Sequence, residues 1–207
     1  MAELAEDDAF EGEVIRDEEF SDEDWYGDEL VDRAYRRCTF SYVDLTEAVT
    51  RGVVFEECTF GNVKFNASRH TDSAFLRCSF TRCNLFDAEF IGCKLTGSVF
   101  TDCELRPLQV LRGDWSFVTL SGADLRGVKI HGTRMREADL SGANLTEATV
   151  SDVDLSGAQL RGAVFARSDL RGSDLSAFDP RTVELAGAII RAEQAVVLAQ
   201  ALGVEVR

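Results

Sequence analysis

Large apolar residues recur at every fifth position of this chain, from Tyr35 to Leu175, with no insertion: Phe40, Leu45, Phe55, Phe60, Phe65, Phe75, Phe80, Leu85, Phe90, Leu95 and onward. Two residues before nearly every beat the side chain is small, as at Cys38, Val43, Ala48, Val53, Cys58, Val63 and on to Ser173. A period of five belongs neither to an α-helix nor to a flat strand. One such unit cannot bury its own apolar side chain and needs stacked neighbours to make a core. The pattern therefore predicts an all-β solenoid. One large and one small residue per unit point to a shared axis, and the polar remainder, as in Ala138-Asp139-Leu140-Ser141-Gly142, faces water.

Longer echoes set the size of a coil. Phe40, Phe60, Phe80 and Phe100 are twenty apart and continue as Leu120, Leu140 and Leu160. Cys38, Cys58 and Cys78 repeat at the same interval, as do the two failed beats, Thr50 and His70. Four units per coil account for all three series. Like residues then stack at the interstrand spacing of ~4.8 Å, and roughly seven coils make a rod on the order of 35 Å long.

The repeated Ala-(Asp/Asn)-Leu-Xaa-Xaa unit, seen in Ala123-Asp124-Leu125-Arg126-Gly127, resembles that of the pentapeptide-repeat proteins of the MfpA/Qnr family, the mycobacterial members most of all. The likeness runs from about Phe40 to Gly203 and includes Ser73-Ala74-Phe75, Arg106-Pro107-Leu108 and the stretch from Asp179-Pro180 to Ala201-Leu202-Gly203. It implies a right-handed quadrilateral β-helix that dimerises through its C-terminal ends, resembles a rod of B-DNA, and binds DNA gyrase in place of DNA. Topoisomerase IV is a second candidate target. The expected outcome is inhibition of supercoiling and tolerance to fluoroquinolones or to a natural topoisomerase poison. The family links strong drug protection to loops projecting from the rod, for which the unbroken clock leaves no room.

After Leu175 the clock slips at Ser176-Ala177-Phe178-Asp179-Pro180, since Pro180 restricts Asp179 and interrupts a ladder. A partial coil through Val183, Leu185 and Ala188 is expected to follow. Ala192 to Leu202 is rich in helix formers and closes on Gly203, a suitable C′ residue. Ala195, Leu198, Ala199 and Leu202 form one apolar stripe at helical spacing, read as both cap and dimer contact, with Val204 and Val206 as a short terminal strand. The β-helix is thus assigned to residues 35–190 and the helix, strand and homodimer contact to 191–207.

Charge divides the chain unevenly. Residues 1–32 hold fifteen acids and one base, Arg16; residues 33–136 hold eleven acids and fifteen bases; residues 137–207 hold eleven acids and six bases. Duplex DNA carries about one negative charge per 1.7 Å of axis, so a DNA mimic needs dense acids. The gyrase-binding surface is accordingly assigned to Glu137, Asp139, Glu147, Asp152, Asp154, Asp169 and Asp174, of which Asp154 and Asp174 stack one coil apart.

Phe10, Ile15, Phe20, Trp25 and Leu30 keep the beat, but their small positions are Asp8, Glu13, Glu18, Glu23 and Asp28, and unpaired carboxylates cannot be buried. Residues 1–24 are therefore expected to be a disordered acidic extension, and 25–34 an N-terminal cap. The extension could also fold over the basic coils near Arg33, Arg36, Arg37, Arg51, Arg69, Arg77 and Arg82 and extend the negative surface.

All six cysteines occupy the small inward position, where a free thiol serves as a compact hydrophobe. The start of the chain lacks the basic and apolar regions of a signal peptide and no run is long enough to span a bilayer, so a cytoplasmic location is expected. No Cys-Xaa-Xaa-Cys pair, phosphate loop or nucleophile motif is present, which predicts no metal, no cofactor and no enzymatic activity. His70, on a beat, is expected to sit in an irregular or hydrated coil. A net charge of −15 disfavours direct binding to nucleic acid or to an anionic membrane. The competing functional reading is a generic interaction scaffold for an unrelated protein.

Overall fold

The computed structural model describes residues 12–206. The chain winds as an all-parallel β-solenoid with four sides, each coil pairing with the residue twenty further on, as in Tyr35 with Phe55 and Phe55 with Phe75. The first side carries a four-stranded sheet that starts at Glu13–Arg16 and ends at Ala74–Leu76. The second carries five strands from Glu19–Ser21 to Val99–Thr101, and the fourth carries seven from Glu29–Val31 to Thr149–Ser151. The third side is held by single bridges, such as Asp44 with Lys64 and Lys64 with Asn84.

Beat residues and small residues alternate inward, and both sets are buried: Phe40, Phe60, Leu85 and Leu155 are at or near zero exposure, as are Val43, Ala48 and Ala143. Most corners are turned two residues after the beat by a residue with positive φ, for example Arg37 at 53° and Glu57 at 56°. That conformation costs roughly 1–2 kcal/mol for a residue with a Cβ. Glycine takes over this position in the later coils, as at Gly142 and Gly162.

Three expectations need correction. Residues 12–24 are not a disordered extension, nor are 25–34 a separate cap. Glu13–Arg16 pairs with Arg33–Arg36, Glu19–Ser21 with Thr39–Ser41, and the Trp25 amide donates to the Asp44 carbonyl, so a regular first coil is complete by Asp32. The burial penalty that argued against this does not arise. Among the described residues nothing stacks above this coil, and Glu13, Glu18, Glu23 and Asp28 are all exposed. The rest of the expected extension, residues 1–11, lies outside the described residues.

The second correction concerns His70, which lies in a regular strand, Arg69–Thr71, fully enclosed. Its Nδ1 is 2.9 Å from Thr50 Oγ1 and its Nε2 is 3.0 Å from Ser68 Oγ. Ser68 donates its own hydroxyl hydrogen to the Phe65 carbonyl, so Nε2 carries the ring proton and Nδ1 accepts from Thr50. Thr50 and His70 are thus a hydrogen-bonded pair across two coils, and burial pushes the imidazole down to about 3.

Third, the slip at Pro180 is local, one residue at the corner, and the register is regained directly after it. Val164 still bridges Glu184 and Asp169 still bridges Ile189, both twenty apart. What changes is size: Phe178 fills the small position, buried against Phe165, and Pro180 occupies the beat.

The helix α1, Ala192–Ala201, covers the last coil. Its Gln194 side chain is buried and takes the place of a further strand, donating to the Leu170 and Ser173 carbonyls at 2.8 and 2.7 Å and accepting from the Arg191 amide at 2.7 Å. The amides of Gly203 and Val204 close the far end on the Gln200 and Ala199 carbonyls, a Schellman arrangement with Gly203 at C′. Val204 and Val206 form no strand with the rest of the chain and stand exposed.

Candidate functional site

The acids assigned to the second half of the rod divide into two groups once their neighbours are placed. Asp139 lies on the second side, Asp154 and Asp174 on the first, and Glu137 at the corner between them, so these four share one edge of the rod. Glu147, Asp152 and Asp169 sit on or beside the fourth side, away from that edge. The Asp174 amide donates to the Val153 carbonyl, which keeps the Asp154 and Asp174 carboxylates one coil apart, as their spacing requires.

Arginines engage four of the seven. Arg136 Nε donates to Asp154 at 2.6 Å, Arg167 holds Glu147 at 2.8 Å, Arg171 holds Asp169 at 2.6 Å, and Arg191 reaches Asp152 at 3.4 Å. Partial burial works against ionisation of Asp154, but hydrogen bonds from Ser156 and Arg136 together hold its carboxyl below the usual range. The Arg171 guanidinium does the same for Asp169. Glu137, Asp139 and Asp174 have no ion pair among the described residues; Asp139 and Asp174 accept only the amides of Ser141 and Ser176. These three make no such ion pair, although the Arg136 guanidinium held by Asp154 also attracts Asp174 from a distance.

Some of these partners were legible in the sequence. Glu147 and Arg167 are twenty apart, and Asp169 and Arg171 flank one beat on the same outer face. Arg191 with Asp152 was not legible, because the entry angle of α1 decides it.

At the other end, acids of the first coil stack on bases of the second. Asp17 meets Arg37 at 2.7 Å, Glu13 meets Arg33 at 3.4 Å and Glu29 meets Arg51 at 3.2 Å. The basic coils are thereby covered on one side by acidic residues of the chain itself.

The proposed dimer stripe is split by the packing of α1. Leu198 is half-buried with Val197 against the last coil, and Ala199 is half-buried, whereas Ala195 and Leu202 are exposed. The exposed apolar surface at this end comprises Ile189, Val196, Leu202, Val204 and Val206. Among the described residues no group of three His, Cys, Asp or Glu is arranged to hold a metal ion, and no helix is long and apolar enough to cross a membrane.

Comparison with known proteins agrees with this geometry. A family model described as pentapeptide repeats matches residues 71–105, 113–142 and 138–176 in eight copies. The pentapeptide repeat protein MfpA of Mycobacterium tuberculosis is 38% identical over 102 residues, 49% of this chain and 56% of that protein, so the match spans little more than half of that relative. A trypsin-treated form of QnrB1, a plasmid-mediated fluoroquinolone resistance protein, superposes with a TM-score of 0.87 at 21% identity over 95% of this chain and 98% of that one. Full-length QnrB1 gives 0.58 at 20% identity, covering 92% and 100%. At such identities the two structures show a shared fold.

Proposed function

The chain belongs to the pentapeptide-repeat proteins, and from that premise we propose that it is a non-catalytic DNA mimic that binds DNA gyrase, inhibits supercoiling and confers tolerance to fluoroquinolones or to a natural topoisomerase poison. The observation that carries this reading is the edge formed by Glu137, Asp139 and Asp174, whose carboxylates make no ion pair among the described residues. Likeness to MfpA and the fold shared with a fluoroquinolone resistance protein support it. Two rods joined end to end through the exposed apolar residues beside α1 would bring two such edges together near the middle of a longer rod. Acids of the first coil, laid over Arg33, Arg37 and Arg51, extend the negative surface toward the far end. The protein acts in the cytoplasm, where gyrase is.

In this mechanism the acids stand where phosphates would be and the rod occupies the DNA-binding surface of the enzyme. Long-range attraction is screened over about 10 Å at 0.1 M salt, so inhibition weakens as salt rises. The test is a titration of gyrase supercoiling with the intact chain, with a Glu137→Gln, Asp139→Asn, Asp174→Asn variant, and with Val196→Asp, Leu202→Asp. Inhibition by the intact chain and its loss in the triple variant are expected, with dimer and potency lost together in the apolar variant. No inhibition at several-fold excess of the intact chain overturns the reading and leaves an interaction scaffold with another partner.

A further inference from the structure

The two prolines of the chain each delay the coil by one residue. Along the third side the corner amide of Ala67 donates to the Phe86 carbonyl, but that of Asp87 reaches one residue further, to Pro107. Likewise Gly142 donates to Arg161, but Gly162 reaches past the pattern to Thr182 beyond Pro180. Beside each proline the ladder opens. On the third side Leu85 pairs with Glu104 and Leu125 with Asn144 at 2.8 Å, yet no main-chain hydrogen bond joins residues 102–105 to 121–124. The corresponding opening beside Pro180 is filled by the chain's own Phe178, 2% exposed. At Pro107 the facing inward residues are Cys103 and Ala123, both small and both partly exposed, and a cleft of about 410 Å³ remains.

This cleft has the features of a β-strand receptor. Its walls are two strand edges with unpaired groups: the amides of Asp102, Leu105 and Asp124 lack the partners that their equivalents have one coil away. Such edges template pairing with another chain. Phe100 and Leu105, 6% and 2% exposed, form an apolar floor for one side chain. The rim is acidic. Asp102 is exposed and has no ion pair among the described residues, whereas Glu104 shares Arg106 with Asp124 at 3.7 and 3.1 Å and Asp124 also holds Arg126 at 2.7 Å. The volume falls within the range of about 300–1,000 Å³ usual for small binding sites.

We propose that this seam on the third side receives an extended peptide segment of a partner protein, bearing alternate apolar and basic side chains, as an added β-strand. Main-chain pairing supplies affinity, while the floor and the Asp102 rim select the side chains. The site is independent of the acidic edge and is measured without gyrase.

The experiment is amide hydrogen exchange, read by NMR on the full chain, with a capped Val-Lys-Val-Lys-Val peptide and the same peptide N-methylated at its central residue. In the free protein the Asp102, Leu105 and Asp124 amides are expected to exchange faster than their ladder equivalents at Arg82, Leu85 and Glu104. Peptide at about ten times its Kd slows them about tenfold, since opening then requires release. The N-methylated peptide, lacking a donor, leaves them unchanged. Equal protection in the free chain overturns the proposal, as does no effect of the first peptide at about 1 mM, the weak limit of specific binding. Equal protection by both peptides also overturns it, because contact is then not by strand pairing.

Discussion

The two halves of the rod use the same coil but stabilise it differently. From Phe20 to Phe100 the second side stacks five rings at 4.5 to 4.9 Å with planes within 13° of parallel, and a second column runs through Tyr35, Phe55 and Phe75. Beyond Leu120 the same positions are leucines over alanines, with far fewer rings. Corners differ as well. In the first half most carry Asp, Glu, Arg or Asn, which pair with the next coil, as Glu57 does with Arg77. In the second half most are glycine. Larger rings and side-chain ladders offset strained corners in the first half, while the second half relieves the corners and leaves fewer side chains along its edges. Fewer corner partners are one reason why Glu137 and Asp174 remain free there.

Removing a ring should expose this contrast most strongly. Phe80→Ala, between Phe60 and Phe100, is expected to lose about 3–5 kcal/mol, while Leu140→Ala on the same side lies toward the lower end of its range of about 2–5 kcal/mol. Urea unfolding of both variants compares them; equal losses would mean that stacking adds nothing beyond area.

Acid should act on the first half through His70. Its imidazole titrates at about 3 when folded, below the ordinary value of 6.5, so the unfolded chain binds more protons between those values. Stability is full above pH 6.5 and falls as pH drops toward 3, by on the order of 3 kcal/mol at pH 4. His70→Phe should remove that component of the pH profile. An unchanged acid slope in the variant would show that carboxylates account for all of it.

Capping is smaller and belongs to the second half. Gln194→Ala leaves the Ser173 carbonyl without a donor and the Leu170 carbonyl with the Ser173 amide alone, and should cost about 1–3 kcal/mol, with faster amide exchange confined to the last coil and α1. A uniform change along the rod would argue against a local cap. Smallest of all is Arg77→Ala, which removes exposed pairs with Glu56 and Glu57 and should change stability by no more than about 1 kcal/mol, the change fading with salt.

The five-residue beat, the coil of twenty and the burial of all but one cysteine were legible in the sequence because each depends only on spacing along a regular stack. The helix and its Gly203 stop were legible for the same local reason. Coil geometry alone showed that residues 13–32 join the stack: Glu13 and Glu18 violate the inward pattern, but among the described residues no coil lies above to bury them. It likewise made His70 a satisfied core residue, through Thr50 one coil before it and Ser68 two residues away on the same coil. Apart from Asp169, held by Arg171 beside it, which acids find an ion-pair partner depends on side chains 18 to 39 residues distant, and the open seam depends on how the ladder resumes after Pro107. Period is a property of the chain, whereas charge pairing and gaps are properties of the neighbours that stacking brings together.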